Sequence, residues 1–210
     1  MYVKICGLTT PEQADRAVTA GADAVGIMVH PPSPRHLELD AARPVVAAAR
    51  TAAAECGRTV DVVVVVAAVP VDRAAGVVRE LGADVLQLHG AYTDADVARA
   101  TSQLDRVWRA STLPAAVAAD PTLHVGRLGE ELLLLDAPRG GSGQTWDLSG
   151  LEQARPDGRW LLAGGLHPGN VAEAVALARP WGVDVSSGVE SVPGVKDPVL
   201  VEEFLRAVRD

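Results

Sequence analysis

Short, solid runs of apolar residues alternate along the chain with longer Ala-rich amphipathic stretches. The runs predict strands at Val3–Cys6, Ala24–Val29, Val60–Ala67, Val85–Leu88, Arg106–Ala110, Leu132–Leu135, Trp160–Ala163 and Val183–Ser186. Several are continuous Val or Leu runs rather than alternating ones, the mark of parallel strands buried on both faces. Eight strands in 210 residues leave about 26 residues per repeat, the length of one strand–loop–helix–loop unit.

An internal echo supports that repeat. Gly21-Ala22-Asp23-Ala24-Val25 resembles Gly82-Ala83-Asp84-Val85 and Gly182-Val183-Asp184-Val185. Each reads as a helix-ending glycine and a short turn into a strand. Helix starts also fall where the repeat needs them. Thr10-Pro11-Glu12-Gln13 offers an N-cap, a first-position proline and a Gln to close a capping box, and Asp197-Pro198 opens a final one-sided apolar helix. The expected fold is α/β, one (β/α)8 TIM barrel over residues 1–210. A doubly wound open sheet is the rival. It would use fewer strands and leave the last strand–helix unit unexplained.

Composition narrows the function classes. A net charge of -8 argues against nucleic acid, whose phosphates need a basic face. The run Val62 to Val69 is far too short to span a membrane, and no leader segment is visible. Two unlike cysteines, Cys6 and Cys56, do not suggest a disulfide framework, so a reducing cytoplasm is expected. Lys4 and Lys196 are the only lysines.

In such a barrel, function sits in the loops after the strands. Cys6-Gly7, His30, His89-Gly90, Asp136, Gly164-Gly165 and Ser187-Gly188 all fall at or just beyond predicted strand ends. Glycines after strands seven and eight let bare backbone N–H groups approach an anion, so these two loops are the expected phosphate site. By alternation Lys4 and Cys6 face the same way, as do Gln87 and His89. Cys6 in the barrel mouth can serve as base or nucleophile, although a lone thiol is more often a core residue. Asp136 ends a very apolar strand; desolvation there would raise its pKa and suit a general acid. The Gly140–Gly143 stretch beyond it has the composition of a closing loop. Arg35, in Ser33-Pro34-Arg35, can fork a carboxylate. Lys4 and Asp184 can pair as strand eight closes on strand one, below the catalytic layer. Cys6, His30 and His89 lack metal-ligand spacing, so neither metal nor cofactor is expected.

These segments together resemble phosphoribosylanthranilate isomerase. The matching stretches are Lys4–Thr9, Ser33–Arg35, Leu86–Gly90, Leu135-Asp136, Gly140–Gly143, Leu162–Leu166 with Pro168 and Asn170, and Asp184–Glu190 with Pro193-Gly194 and Lys196-Asp197. They run in order over nearly the whole chain. The resemblance implies an Amadori rearrangement of N-(5'-phosphoribosyl)anthranilate in tryptophan biosynthesis. It carries the general base to Cys6, the general acid to Asp136, and the anthranilate-carboxylate contact to Arg35. Gly164, Gly165, Ser187 and Gly188 match the phosphate loops, and His89 and Gly141 complete the expected substrate contacts. The implied partner is a small phosphorylated substrate, with neither nucleic acid nor membrane, and the implied state is a monomer or weak homodimer.

Two departures stand out. Only Ala137-Pro138-Arg139 separate Asp136 from Gly140, and Met28–Pro32 lacks the aromatic residue the family often carries there. Ring packing is therefore expected to fall to aliphatic side chains or a Trp. The alternatives are a histidine-pathway or dual-substrate isomerase of the same fold, and a catalytically silent phosphate-binding barrel. A carboxylate base on strand one would mark the histidine-pathway enzyme, and Cys6 stands in that place.

Overall fold

Val62, Val64 and Val66 pack outward against helices, whereas Val63 and Val65 face the interior of a closed sheet. Leu133 and Leu135 face out in the same way, and Leu132 and Leu134 face in. Both faces are buried, which is why these strands read as solid apolar runs. The computed structural model describes residues 1–136, 151 and 154–209.

Eight parallel strands close in sequence order: β1 (Tyr2–Cys6), β2 (Ala24–Val29), β3 (Asp61–Val66), β4 (Val85–Leu88), β5 (Val107–Thr112), β6 (Leu132–Asp136), β7 (Trp160–Leu162) and β8 (Gly182–Val185). Helices α1 (Pro11–Thr19), α2 (Leu39–Glu55), α3 (Val71–Leu81), α4 (Asp94–Thr101) and α5 (Leu113–Ala119) follow the first five strands in turn. Helix α6 (Val171–Ala178) follows β7, and α7 (Pro198–Arg209) follows β8. This is the expected single (β/α)8 barrel, with strands within two residues of their predicted limits. No helix among the described residues is long and apolar enough to cross a membrane.

Two local readings change. Thr10 caps α1, accepting from the Gln13 N–H, but the Gln13 side chain bonds the Thr9 N–H at 2.9 Å and leaves the capping box open. The third member of the glycine echo is also different in kind. Gly21 and Gly82 do sit at helix ends with positive φ, and Asp23 and Asp84 then accept from the N–H groups of Val3 and Val62. Gly182 instead starts β8; α6 ends through Arg179 in the left-handed conformation. A Cβ on Gly182 would stand 2.5 Å from the Tyr2 carbonyl oxygen, so the seam between β8 and β1 requires glycine there. The shift puts Asp184 inside the strand, where it faces the barrel.

The N-terminal ends of the strands are closed by charge. Arg106 holds both oxygens of Asp61 at 2.6 and 2.9 Å and reaches Glu131 at 2.9 Å, while Trp108 donates to Glu131 and Tyr2 to Asp61. The buried Trp108 above this lattice plugs the interior, leaving the opposite end open.

One element was not expected. Between β8 and α7 a hairpin pairs β9 (Glu190–Val192) with β10 (Val195–Lys196) around Pro193-Gly194. Gly194 has φ +85°, as a turn of this kind needs at its second central residue. Its carbonyl accepts from Thr9 Oγ1 at 2.8 Å and from Gln13 Nε2, so the hairpin is tied to the loop after β1.

Candidate active site

A cavity of about 320 Å³ opens at the C-terminal ends of the strands. It collects Cys6, Arg35, His89, Asp136, Gly164, Gly165, Ser187 and Gly188 on one surface. Gly141, the remaining expected contact, lies outside the described residues. The apolar wall comes from Met28, Val65, Leu134 and Leu166, and no Phe, Tyr or Trp among the described residues lines it. The described wall is thus aliphatic, the first of the two surfaces expected for ring packing. Cys6, His30 and His89 are not gathered for a metal: the described residues contain no group of three or more His, Cys, Asp or Glu side chains placed to hold one.

Cys6 ends β1 and faces the interior. Opposite it on β2 stands Gly26, where a Cβ would lie 2.7 Å from the Cys6 sulfur and 3.2 Å from Lys4 Cε. The missing side chain makes the room that thiol and ammonium share. Lys4 is fully buried one layer below and donates to Asp184 Oδ1 at 2.8 Å. Burial pulls the Lys4 pKa down, but Asp184 and Cys6 together outweigh it and hold the ammonium above its ordinary pKa. For Cys6 burial wins: it pushes the thiol up, against the pull of Lys4 and Lys196.

Asp136 ends β6 and is partly open to the cavity, with His89 Nε2 3.6 Å from its Oδ2. On that same side Gln87 is buried, and its Oε1 has no hydrogen-bond partner among the described residues. An acceptor left unpaired at a cavity wall suits a ligand donor.

Loops seven and eight meet between these groups. Gly164 and Gly165 adopt φ of +86° and +67°. Asn170 fixes the turn, donating to the Gly165 carbonyl at 3.0 Å and accepting from the His167 N–H at 2.8 Å. A Cβ on Gly188 would overlap the Leu166 carbonyl oxygen, so only glycine lets the two loops touch. Ser187–Val189 forms a single 3-10 turn at the same place.

The Arg35 guanidinium is already forked. Its Nε and Nη2 reach the Glu190 carboxylate at 2.7 and 2.6 Å, and Glu190 also pairs with the buried Lys196. Arg35 also borders the cavity, and Glu190 sets the angle of its guanidinium. Gly7, φ +75°, gives it passage, since a Cβ there would overlap Arg35 Cδ.

Sequence reasoning gives no role to four of these residues. Gly26 could have been found as a lone glycine inside a strand, which often marks a close approach. Gln87 was placed inward but given no role. Glu190 and Lys196 sit on strands of three and two residues, too short for any periodicity to show.

Known proteins resemble the chain along its whole length. Residues 3–207 match the family model described as N-(5'-phosphoribosyl)anthranilate (PRA) isomerase. The N-(5'-phosphoribosyl)anthranilate isomerase of Bradyrhizobium sp. (strain ORS 278) is 41% identical, over 100% of this chain and 95% of its own. The crystal structure of TrpF from Jonesia denitrificans superposes with a TM-score of 0.84 at 52% identity, covering 100% of this chain and 97% of that one. A phosphoribosyl anthranilate isomerase in complex with reduced 1-(o-carboxyphenylamino)-1-deoxyribulose 5-phosphate gives a TM-score of 0.78 at 29% identity, covering 100% and 98%.

Proposed function

Because this chain belongs to the N-(5'-phosphoribosyl)anthranilate isomerase family of tryptophan biosynthesis, we propose that Cys6 is the general base and Asp136 the general acid of its aldose–ketose isomerisation. The observation that carries this reading is their placement. Around the ring, β1 and β6 are separated by β7 and β8, and the glycine loops of those two strands fill the gap. A ribose phosphate anchored there by its phosphate extends between the two side chains.

Asp136 then protonates the furanose ring oxygen, and the C1'–O bond breaks to give an open-chain Schiff base. Cys6, as thiolate, removes the C2' proton. The electron pair left behind forms an enamine, which tautomerises to the ketone of 1-(o-carboxyphenylamino)-1-deoxyribulose 5-phosphate. Protons only are moved, which acid–base side chains can supply unaided. Gly164, Gly165, Ser187 and Gly188 hold the phosphate, and the lie of loop eight against loop seven supports that role. Gly141 is carried as a further contact on resemblance alone. Arg35 takes the anthranilate carboxylate with the guanidinium edge that Glu190 leaves toward the cavity, and the ring lies on Met28, Val65 and Leu134. His89, beside Asp136, orients the acid. A monomer or weak homodimer in the cytoplasm remains the reading for the protein in the cell.

Thiol labelling tests the base. With exposed Cys56 changed to Ser, iodoacetamide has Cys6 as its one target. Turnover is expected to vanish in step with labelling, and the reduced product analogue is expected to protect. Full activity after complete labelling would refute the assignment.

A further inference from the structure

The chain has only two lysines, and the fold buries both beside Cys6. Lys4 rises from inside the barrel on the same strand. Lys196 is carried by the β9–β10 hairpin that follows β8, with its side chain 3% exposed. Its ammonium donates to the Ser186 carbonyl at 3.0 Å and to Ser186 Oγ at 3.3 Å. Ser186 Oγ in turn donates to the Cys6 carbonyl at 3.0 Å. The same ammonium pairs with Glu190, which grips Arg35 by both oxygens. One side chain thus joins the backbone of the proposed base to the proposed carboxylate fork.

We propose that Lys196 is a positioning residue for the isomerisation, holding Cys6 through Ser186 and Arg35 through Glu190, and that the hairpin exists to deliver it. The inference rests on the assignment of Cys6 as base. Its physical content is partly electrostatic. The charged groups around Cys6 are Lys4 on β1, Asp184 on β8, Glu190 and Lys196 on the hairpin, and Arg35 after β2, with His89 and Asp136 across the cavity. Among the first five, three cations face two carboxylates, so the cluster carries one positive charge in excess. A thiolate at Cys6 balances it. Burial pushes the Cys6 thiol up, while Lys4 and then Lys196 draw it back.

Paired substitutions of opposite sign separate this role from mere support. In the Cys56→Ser background, the pH midpoint of Cys6 alkylation is measured for Lys196→Met, Glu190→Gln and Lys196→Arg. Lys196→Met removes a cation near the sulfur and is expected to raise the midpoint by about one pH unit and lower kcat/KM about tenfold. Glu190→Gln removes the anion that partly neutralises Lys196 and Arg35, and is expected to lower the midpoint. Lys196→Arg keeps the charge and is expected to leave the midpoint near the parent value. Unchanged midpoints in both of the first two variants, or shifts of the same sign, would overturn the proposal. If Lys196→Met loses its circular dichroism, Glu190→Gln decides alone: a downward shift supports the role and no shift overturns it. The base assignment fails separately, if Cys6→Ser turns over at the parent rate while the midpoints still respond to Lys196.

Discussion

Lys4 and Asp184 stand at the same register of β1 and β8, and their 2.8 Å ion pair bridges the seam that closes the barrel. Lys4 is fully buried beneath Cys6, while Asp184 also lines the cavity wall. Removing one partner leaves the other as a buried, uncompensated charge, which costs about 3–5 kcal/mol in such settings. Asp184→Ala is therefore expected to lose stability on that scale in urea unfolding. Lys4→Met combined with Asp184→Ala is expected to lose less than the sum of the single changes, because no charge is stranded. A loss under about 1 kcal/mol for Asp184→Ala would show that the ammonium finds other partners.

Gly188 tests the phosphate loops. Alanine there must push loop eight off the Leu166 carbonyl and open the backbone cradle. The expected result is a KM raised at least about tenfold with kcat much less affected, since phosphate anchoring acts alike on ground and transition states. An unchanged KM in steady-state assays would move the phosphate elsewhere.

The pH dependence follows from Cys6. Its thiol is held above the ordinary value of about 8.5 by burial, with Lys4 opposing. Activity requiring the thiolate is expected to climb with pH beyond that value. Stability runs the other way. Above the ordinary thiol pKa the unfolded chain sheds the proton first, so it binds fewer protons than the native state and folding weakens as pH rises. That loss continues until the folded pKa is passed. Urea midpoints across this alkaline range are expected to fall more steeply for the parent than for Cys6→Ser, and parallel curves would argue that Cys6 is not desolvated.

The barrel itself was legible because burial on both strand faces leaves continuous apolar runs, and those mark each strand plainly. The C-terminal placement of Cys6, Asp136 and the two glycine loops followed from strand ends alone. What escaped depends on which face a residue takes or on contacts distant in sequence. Asp23, Asp84 and Asp184 share one motif, yet the first two cap backbone N–H groups and the third faces inward, because Gly182 is held in the β8–β1 seam. Glu190 lies 155 residues from Arg35, and nothing local announces their pairing. The hairpin that brings Lys196 to Cys6 has strands too short to leave a pattern.

The most direct measurement is the turnover of Cys6→Ser and Asp136→Asn on N-(5'-phosphoribosyl)anthranilate, with circular dichroism to show that each variant is folded. A base and an acid each contribute about 10²–10⁴ to such a rate. Each substitution is expected to lower kcat by at least about a hundredfold. Folded variants that both retain kcat within about tenfold of the parent would contradict the assignment of acid and base.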